Sequence, residues 1–440
     1  MPDTGAPAAS PPAPARRGVR YAMLMAQSGG QLLAGFVLSL ECAYFFGAGR
    51  VKDAWDVAFL IPDALLSVAG FALMQSVATA VFSRQLERRD SDASQLFSAL
   101  LTLLLCTGGA VTVLGALLAR PVVHLVAPGL DAEGTALALK QLYLLLPLTL
   151  LMGTSMFLGA VQTGYGFAGA NELGWLVLRV FVIGALLLVP RSLGITGLSL
   201  AYIGGGVIAL VIQLRLLRRT GLRFRWSLRL GTPEVRTVLR QAAGFGVSSV
   251  LTQIALLQMR HLASQGPVGT IAALGYALSL AGLVYQFVAK PLMLIEGPHI
   301  IRRREAGGED AARRLHRRVI VAALALTVPI VAVILAGREP LVRLLFERGA
   351  FDAAATARTA AFVGVVSLSA FGDTLVAVTL LPALARTEGL AVPGAFIVAN
   401  LVQIAFMALA FPSLGVGAVL WGVVLSSTLR GALVYLAGRR

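Results

Sequence analysis

Apolar runs of about 20 residues recur along the whole of this 440-residue chain, and each is long enough to cross roughly 30 Å of hydrocarbon as a helix. A backbone in lipid must satisfy its own hydrogen bonds, which leaves helices or a closed barrel. The runs are continuous rather than alternating, and that excludes the barrel. Only 13% of the residues are charged, against roughly 25% in a soluble domain. The fold expected is therefore an all-α, polytopic membrane protein with about 12 transmembrane helices. The predicted spans are roughly 21–46, 54–82, 96–118, 137–160, 173–190, 194–216, 238–259, 269–297, 318–336, 356–383, 390–411 and 415–436.

The net charge of +16 comes almost wholly from arginine, for only Lys52, Lys140 and Lys290 are lysines. A basic balance is one mark of nucleic-acid binding. Here the charge falls in short blocks between apolar runs, so nucleic acid is excluded as a partner. With the N-terminus inside, the inside segments hold 24 arginines and the outside segments about 10 lysines and arginines. That bias predicts both termini in the cytoplasm. Residues 1–15 are rich in Pro and Ala without a hydrophobic stretch, which predicts a disordered cytoplasmic tail over 1–20 rather than a cleaved signal. Cys42 and Cys106 both lie in apolar runs and imply no disulfide framework. The histidines show no metal-binding spacing, and no Gly-rich loop ends in Lys-Ser/Thr. No metal, cofactor, ATP motor or enzymatic activity is expected.

The chain also repeats itself. Arg120-Pro-Val-Val-His-Leu-Val-Ala-Pro-Gly-Leu-Asp131 follows the third span, and Glu339-Pro-Leu-Val-Arg-Leu-Leu-Phe-Glu-Arg-Gly-Ala-Phe-Asp352 follows the ninth. Pro121 aligns with Pro340 and Asp131 with Asp352. Ser192-Leu-Gly-Ile-Thr-Gly197 precedes the sixth span as Ser413-Leu-Gly-Val-Gly417 precedes the twelfth, at nearly the same offset along the chain. An even span count per half makes the repeats parallel. Such two-lobed transporters usually bind substrate between their lobes. The predicted division is an N-terminal six-helix lobe over 21–216, a basic cytoplasmic linker over 217–237 and a C-terminal six-helix lobe over 238–440.

The tract Arg343-Leu-Leu-Phe346-Glu-Arg348-Gly349-Ala-Phe351-Asp352 resembles the Leu-Phe-x-Arg-Gly-Ala-Phe signature of the MurJ/MviN lipid-flippase family. Phe46-Gly47-Ala-Gly49, followed by Asp53-Ala-Trp-Asp56-Val-Ala-Phe-Leu-Ile-Pro62, is similar to a second block of that family. Tyr276-Ala277 and Pro298 give a weaker echo in the second half. On these blocks the chain resembles the MurJ/MviN-like lipid II flippases, within the multidrug/oligosaccharidyl-lipid/polysaccharide exporter superfamily. The resemblance implies a multi-pass protein of the bacterial inner membrane that moves a polyprenyl-linked cell-wall precursor, a function in peptidoglycan biosynthesis. It also implies a central cavity lined with arginines, which suits a pyrophosphate because guanidinium pairs bidentately with phosphate. Carried over by register, those arginine positions fall on Leu32, Leu38, Leu66 and Ser279, and only the acidic Asp53 is retained. Family members typically have 14 spans, against the 12 counted here.

Ionisable groups inside spans are costly and mark function by default. Glu41, Asp53, Asp56 and Asp63 form a possible acidic wall in the first lobe, able to carry protons or attract a cation. Asp56 and Asp63, seven residues apart, project from nearly one helical face. The alternative for Asp53 and Asp56 is helix capping, where the dipole favours anions. Arg179 and Lys290 are the candidate cations, either for a phosphate or for pairing, with Glu172 or Asp63 and with Glu296 respectively. Asp373 and Arg430 are further candidates. Asn400 and Gln403, with Asp63, are candidates for a coupling ion, against interhelical hydrogen bonding. In the signature tract, Phe346, Phe351 and Leu345 are expected at the outer interface, with Gly349 allowing a sharp turn. Arg348 is there either structurally or for a head group.

Three functions fit these readings. The first is a flippase working by alternating access, since a charged saccharide cannot cross hydrocarbon unaided. The second is a cation or drug antiporter on the same plan, coupled to protons or sodium through its carboxylates. The third is a non-transporting scaffold in an envelope-synthesis complex. They differ in the net sign of charge in the cavity between the lobes.

Overall fold

The computed structural model describes residues 14–68, 78–79, 81–83, 93–167, 169–188, 191–229, 233–386 and 391–438. Among them the structure is helical and contains no strand. The first half comprises α1 (Pro14–Phe46), α2 (Arg50–Val68), α3 (Ala93–Leu117), the short α4 (Ala119–Val126), α5 (Ala132–Gly164), α6 (Ala170–Leu188) and α7 (Gly194–Leu217). The second comprises α8 (Pro233–Ser264), α9 (Thr270–Val284), α10 (Lys290–Glu305), α11 (Glu309–Ala336), the short α12 (Arg338–Phe346), α13 (Ala353–Val366), α14 (Ser369–Arg386), α15 (Ala391–Leu414) and α16 (Val416–Ala437). A π-helical turn, Tyr285–Ala289, joins α9 to α10. Helix α1 begins at Pro14, where the sequence predicts a disordered tail to residue 20. Proline suits the first helical turn, whose N–H groups have no partner anyway.

Among the described residues, eight helices are long and apolar enough to cross a membrane, or nine if α13 and α14, bent by 46° at their junction, form one broken span. The protein is thus all-α and polytopic. Helix α2 is not among the eight. It carries Arg50, Lys52, Asp53, Asp56 and Asp63 within 19 residues, too much charge to face lipid and a reason to look for a wet neighbour. Helix α8 forms as well, but with serines, threonine and glutamines along its length.

The packing of one half recurs in the other. In the first, α1 lies on α6, α2 and α3 on α5, and α7 on both α5 and α6. In the second, α8 lies on α15, α10 and α11 on α14, and α16 on both α14 and α15. The local details recur too. Asp131 caps α5 by accepting from Gly134 N at 2.8 Å. Asp352 caps α13 by accepting from Ala355 N at 2.7 Å. Gly194 at the first position of α7 has φ +50° and Gly415 just before α16 has φ +54°. One apolar core, from Leu38 to Leu217, is built by the first half, with Val235 of α8 added from the second. Two others mix the halves, joining Ala43 to Tyr276 and Phe346, and Val57 and Val126 to Met259 and Val366.

Candidate functional site

Where the halves meet, a cavity of about 460 Å³ opens between α1, α2, α6 and α7 on one side and α8 and α9 on the other. Its charged lining is Lys52, Asp56, Arg179 and Arg260. Each is held differently. Lys52 Nζ lies 2.5 Å from Asp56 Oδ1, one helical turn away and almost fully buried. It also sits 5.0 Å from the Trp55 ring and 5.4 Å from the Tyr276 ring. That pair is neutral, so Arg179 and Arg260 give the lining a surplus of two positive charges.

Arg179 reaches across from α6 to donate to Gln31 O on α1 at 2.7 Å, with Trp175 under its guanidinium at 5.8 Å. Gly35 makes room for it: a Cβ there would stand 3.0 Å from Arg179 Nη1. Arg260 donates to Ile271 O at 3.0 Å, and its buried Nε has no partner. Asp56 Oδ2 is likewise buried and unpartnered. Asp56 and Arg260 approach each other over Gly275, where a Cβ would stand 3.8 Å from the carboxylate and 3.9 Å from Arg260 Nη1. They form no ion pair. A guanidinium with free donors, facing a cavity and lacking a carboxylate, is an anion site in waiting.

The rest of the wall is aromatic. Trp55 stacks on Phe59 at 4.8 Å, and Phe59 meets Tyr202 at 4.9 Å. Trp55 is fixed by a buried chain of bonds: its Nε1 donates to Ser199 Oγ at 3.0 Å, and Ser199 donates to Gln141 Oε1 at 2.8 Å. The Trp55 ring is therefore held in place against the cavity. Breaking the ion pair has a calculable effect. Lys52→Met leaves Asp56 charged and buried, and is expected to cost about 3 kcal/mol in stability. Lys52→Met with Asp56→Leu should recover most of it. Thermal unfolding in detergent reads both.

The other candidates distribute as follows. Asp53 is buried and is not part of the cavity lining. It accepts from Gly269 N at 2.6 Å and Ala272 N at 2.7 Å, so it caps α9 of the opposite half rather than its own helix. Ser279, Leu32 and Leu38 line the cavity, whereas Leu66 is buried in the first-half core. Glu41 is half-buried with Oε2 unpartnered, and Asp63 is exposed; neither lines the cavity. Among the described residues, Arg179 pairs with neither Glu172 nor Asp63. The side chain of Lys290 lies outside the described residues; Glu296 is half-buried. Asn400 donates to Thr252 Oγ1 at 2.8 Å, and Gln403 is buried nearby on the same helix. Arg430 donates to Ser426 Oγ at 3.1 Å and lies over Phe396, while Ser369 Oγ donates to Asp373 at 3.4 Å.

The signature tract serves to join the halves. Phe346 and Phe351 are buried inside the protein and pack on Tyr276 with centroids at 5.3 and 5.5 Å. Phe36 closes the cluster from α1. A ring placed at the meeting of two halves finds apolar partners that neither half shows in sequence. Gly349 has φ +62°, the turn expected, and Ala350 N donates to Tyr44 O at 2.9 Å. Arg348 is exposed and donates to Leu344 O at 3.0 Å. In the other block, Tyr276 donates to Gly47 O at 3.0 Å, Pro62 is buried within α2, and Phe46 touches Phe45. Gly49 stands in open space.

Comparison with known proteins decides the family. The sequence model described as "Lipid II flippase MurJ" matches residues 42–439. The chain belongs to the MurJ lipid II flippase family. It is 26% identical over 338 residues to a probable lipid II flippase MurJ of Rhizobium meliloti, covering 74% of this chain and 63% of that relative. The chain thus spans under two thirds of that protein's length. A lipid II flippase MurJ of Burkholderia cenocepacia is 26% identical over 442 residues, covering 94% of this chain and 84% of its own. Among solved structures, a lipid II flippase MurJ in an inward closed conformation superposes with a TM-score of 0.81 at 17% identity, covering 95% of this chain and 86% of that one. A multidrug-resistance MATE transporter of the MOP superfamily, inward-facing, gives 0.76 at 16% identity, covering 96% and 97%. The MurJ family consists of transporters, not enzymes, and its fold is two-lobed.

Proposed function

We propose that this protein is a flippase for a polyprenyl-linked saccharide of the lipid II kind, worked by alternating access of two six-helix lobes, 21–216 and 238–440, about the Arg179–Arg260 cavity. The observation that carries this reading is the charge of the cavity: two guanidiniums in excess of the one ion pair. An anionic pyrophosphate head suits that lining. A cationic drug does not, which disfavours the antiporter. The cations stand where the resemblance does not place them, on α6 and α8 instead of α1, α2 and α9, so positive charge reaches the cavity from other helices. Trp55, Phe59 and Tyr202 offer apolar faces beside them for the saccharide.

In this reading twelve spans cross the bacterial inner membrane, both termini and the 217–237 linker face the cytoplasm, and the tail of the substrate stays in lipid. Asp63, Asn400 and Gln403 remain the coupling-ion assignment; Asn400 Oδ1, buried and without a partner, is the atom there best placed to coordinate a cation. The test is transport. Purified protein in vesicles is expected to expose fluorescent lipid II to an external probe well above protein-free vesicles, and not to drive proton-dependent efflux of a cationic dye. Dye efflux without lipid II movement would reverse the assignment, and neither activity would favour the scaffold.

A further inference from the structure

The segment between the halves is more than a tether. After α7 and the turn at Gly221 (φ +75°), residues 222–229 run without helix across α3. A ladder of hydroxyls holds them there. Ser94, Ser98 and Thr102 recur every fourth residue and so share one face of α3. Arg223 N donates to Ser94 Oγ at 3.5 Å, Arg225 N to Ser98 Oγ at 3.0 Å and Ser227 N to Thr102 Oγ1 at 3.2 Å. Ser98 Oγ returns a bond to Arg223 O at 3.3 Å. The backbone of this strap is thus spent on α3; Leu222 packs inward and Ser227 is half-buried, and the other side chains are left to face outward.

Those side chains have a particular chemistry. Arg223, Arg225 and Arg229, with Ser94, Ser98 and Trp226, line a hollow of about 440 Å³. None of the three guanidiniums pairs with a carboxylate among the described residues. Trp226 is 68% exposed and Leu228 69%, and the Trp226 ring meets Phe224 edge-on at 5.4 Å. Water alone gives no reason to hold an indole and a leucine out beside three arginines that have no carboxylate partner among the described residues. The headgroup layer of a membrane does: aromatic rings settle at that depth, and arginines find phosphates there.

We propose that the 222–229 strap is a binding site for an anionic phospholipid, its phosphate held by Arg223, Arg225 and Arg229 and its upper acyl region by Trp226 and Leu228. The site is separate from the Arg179–Arg260 cavity, and its occupancy is measurable without transport. Failure of the flippase reading and failure of this one are therefore distinguishable. In mixed micelles, the intact protein is titrated with an anionic glycerophospholipid, with a zwitterionic phosphatidylcholine and with inorganic phosphate, and bound lipid is counted by native mass spectrometry. The anionic lipid is expected to bind most tightly. Arg223→Gln, Arg225→Gln and Arg229→Gln together should weaken it about a hundredfold, at roughly 1 kcal/mol per arginine near a charged surface. Trp226→Ala alone should weaken both lipids, because the ring serves either. All these side chains are exposed, so the melting temperature should not move. Undiminished anionic-lipid binding by the triple variant would overturn the proposal. So would displacement of the lipid by inorganic phosphate at equal concentration, which would mark a soluble-anion site.

Discussion

Arg179→Gln with Arg260→Gln is expected to lower lipid II flipping at least a hundredfold while leaving the protein folded. A charge-assisted hydrogen bond contributes roughly 1.5–3 kcal/mol, and each 1.4 kcal/mol is about tenfold. Losing two such contacts to a pyrophosphate therefore exceeds a hundredfold unless another cation takes over. Lys52 is ill placed to do so, because its ammonium is committed to Asp56 at 2.5 Å. The single changes should differ. Each spends one donor on a backbone carbonyl, Arg179 on Gln31 O and Arg260 on Ile271 O, but Arg260 also keeps a buried Nε without any partner. Arg260→Gln should be the more damaging of the two, and Arg260→Lys should retain part of the rate, as a point charge replaces a fork. The readout is the initial rate of lipid II exposure in vesicles, with unfolding temperature as control. An unchanged rate in the double variant would remove the cavity from the mechanism. Under antiport of a cation the sign reverses: the same double variant would transport its substrate faster, since two repelling charges are gone.

How far can this site be read from the sequence? The spans are legible because their signal is local, about 20 apolar residues at a time. The repeat is legible too, and the structure gives it content: Asp131 and Asp352 align by sequence and both cap the helix that follows. The cavity cations are harder. The apolar run of the seventh span ends at residue 259, yet α8 continues to Ser264. Arg260 therefore belongs to the helix, where the run alone puts it in an outside loop. Lys52 falls before the second apolar run for the same reason, although α2 starts at Arg50. Helix ends carry polar residues, which is where apolar-run boundaries are least informative. A rule extending each span by one turn finds both.

Contacts between the halves are a different matter. From sequence Asp53 reads as a cap for its own helix. Its carboxylate does cap a helix, but that helix is α9, in the other half of the chain. Phe346 and Phe351 read as interfacial, and they are buried against Tyr276. The residue types are informative: an aspartate beside a helix start, and rings in a turn. The partner is not, because nothing in one half of a chain names the surface of the other.

Those contacts form a paired clasp at one end of the bundle, and the second large effect follows from it. Gly349 presses on Tyr44 O, where a Cβ would sit 2.3 Å away, and Gly47 presses on Ala350 O at 2.2 Å. At the repeat-related places, Gly129 presses on Ser264 O at 1.9 Å and Gly269 on Ala48 O at 2.1 Å. In each case the neighbour is backbone, which cannot swing aside. Tyr276 and Asp53 reinforce the join by bonding to Gly47 O and to Gly269 N. Any side chain at Gly349 or Gly269 must therefore part the halves at this end. Gly349→Val is expected to open the clasp and abolish alternating access, with flipping lost altogether. Nitroxide labels at Leu125 and Leu344, exposed on the short helices of opposite halves, should report a longer and broader distance in a chain with Cys42 and Cys106 replaced by alanine. Gly194→Ala separates strain from collision. Its φ is +50° but nothing stands within 4 Å of the added methyl, so it should cost only about 1 kcal/mol and leave the label distance unchanged. If Gly349→Val also leaves that distance unchanged, the clasp does not hold the halves together, and the signature tract has some task other than closing this end of the transport path.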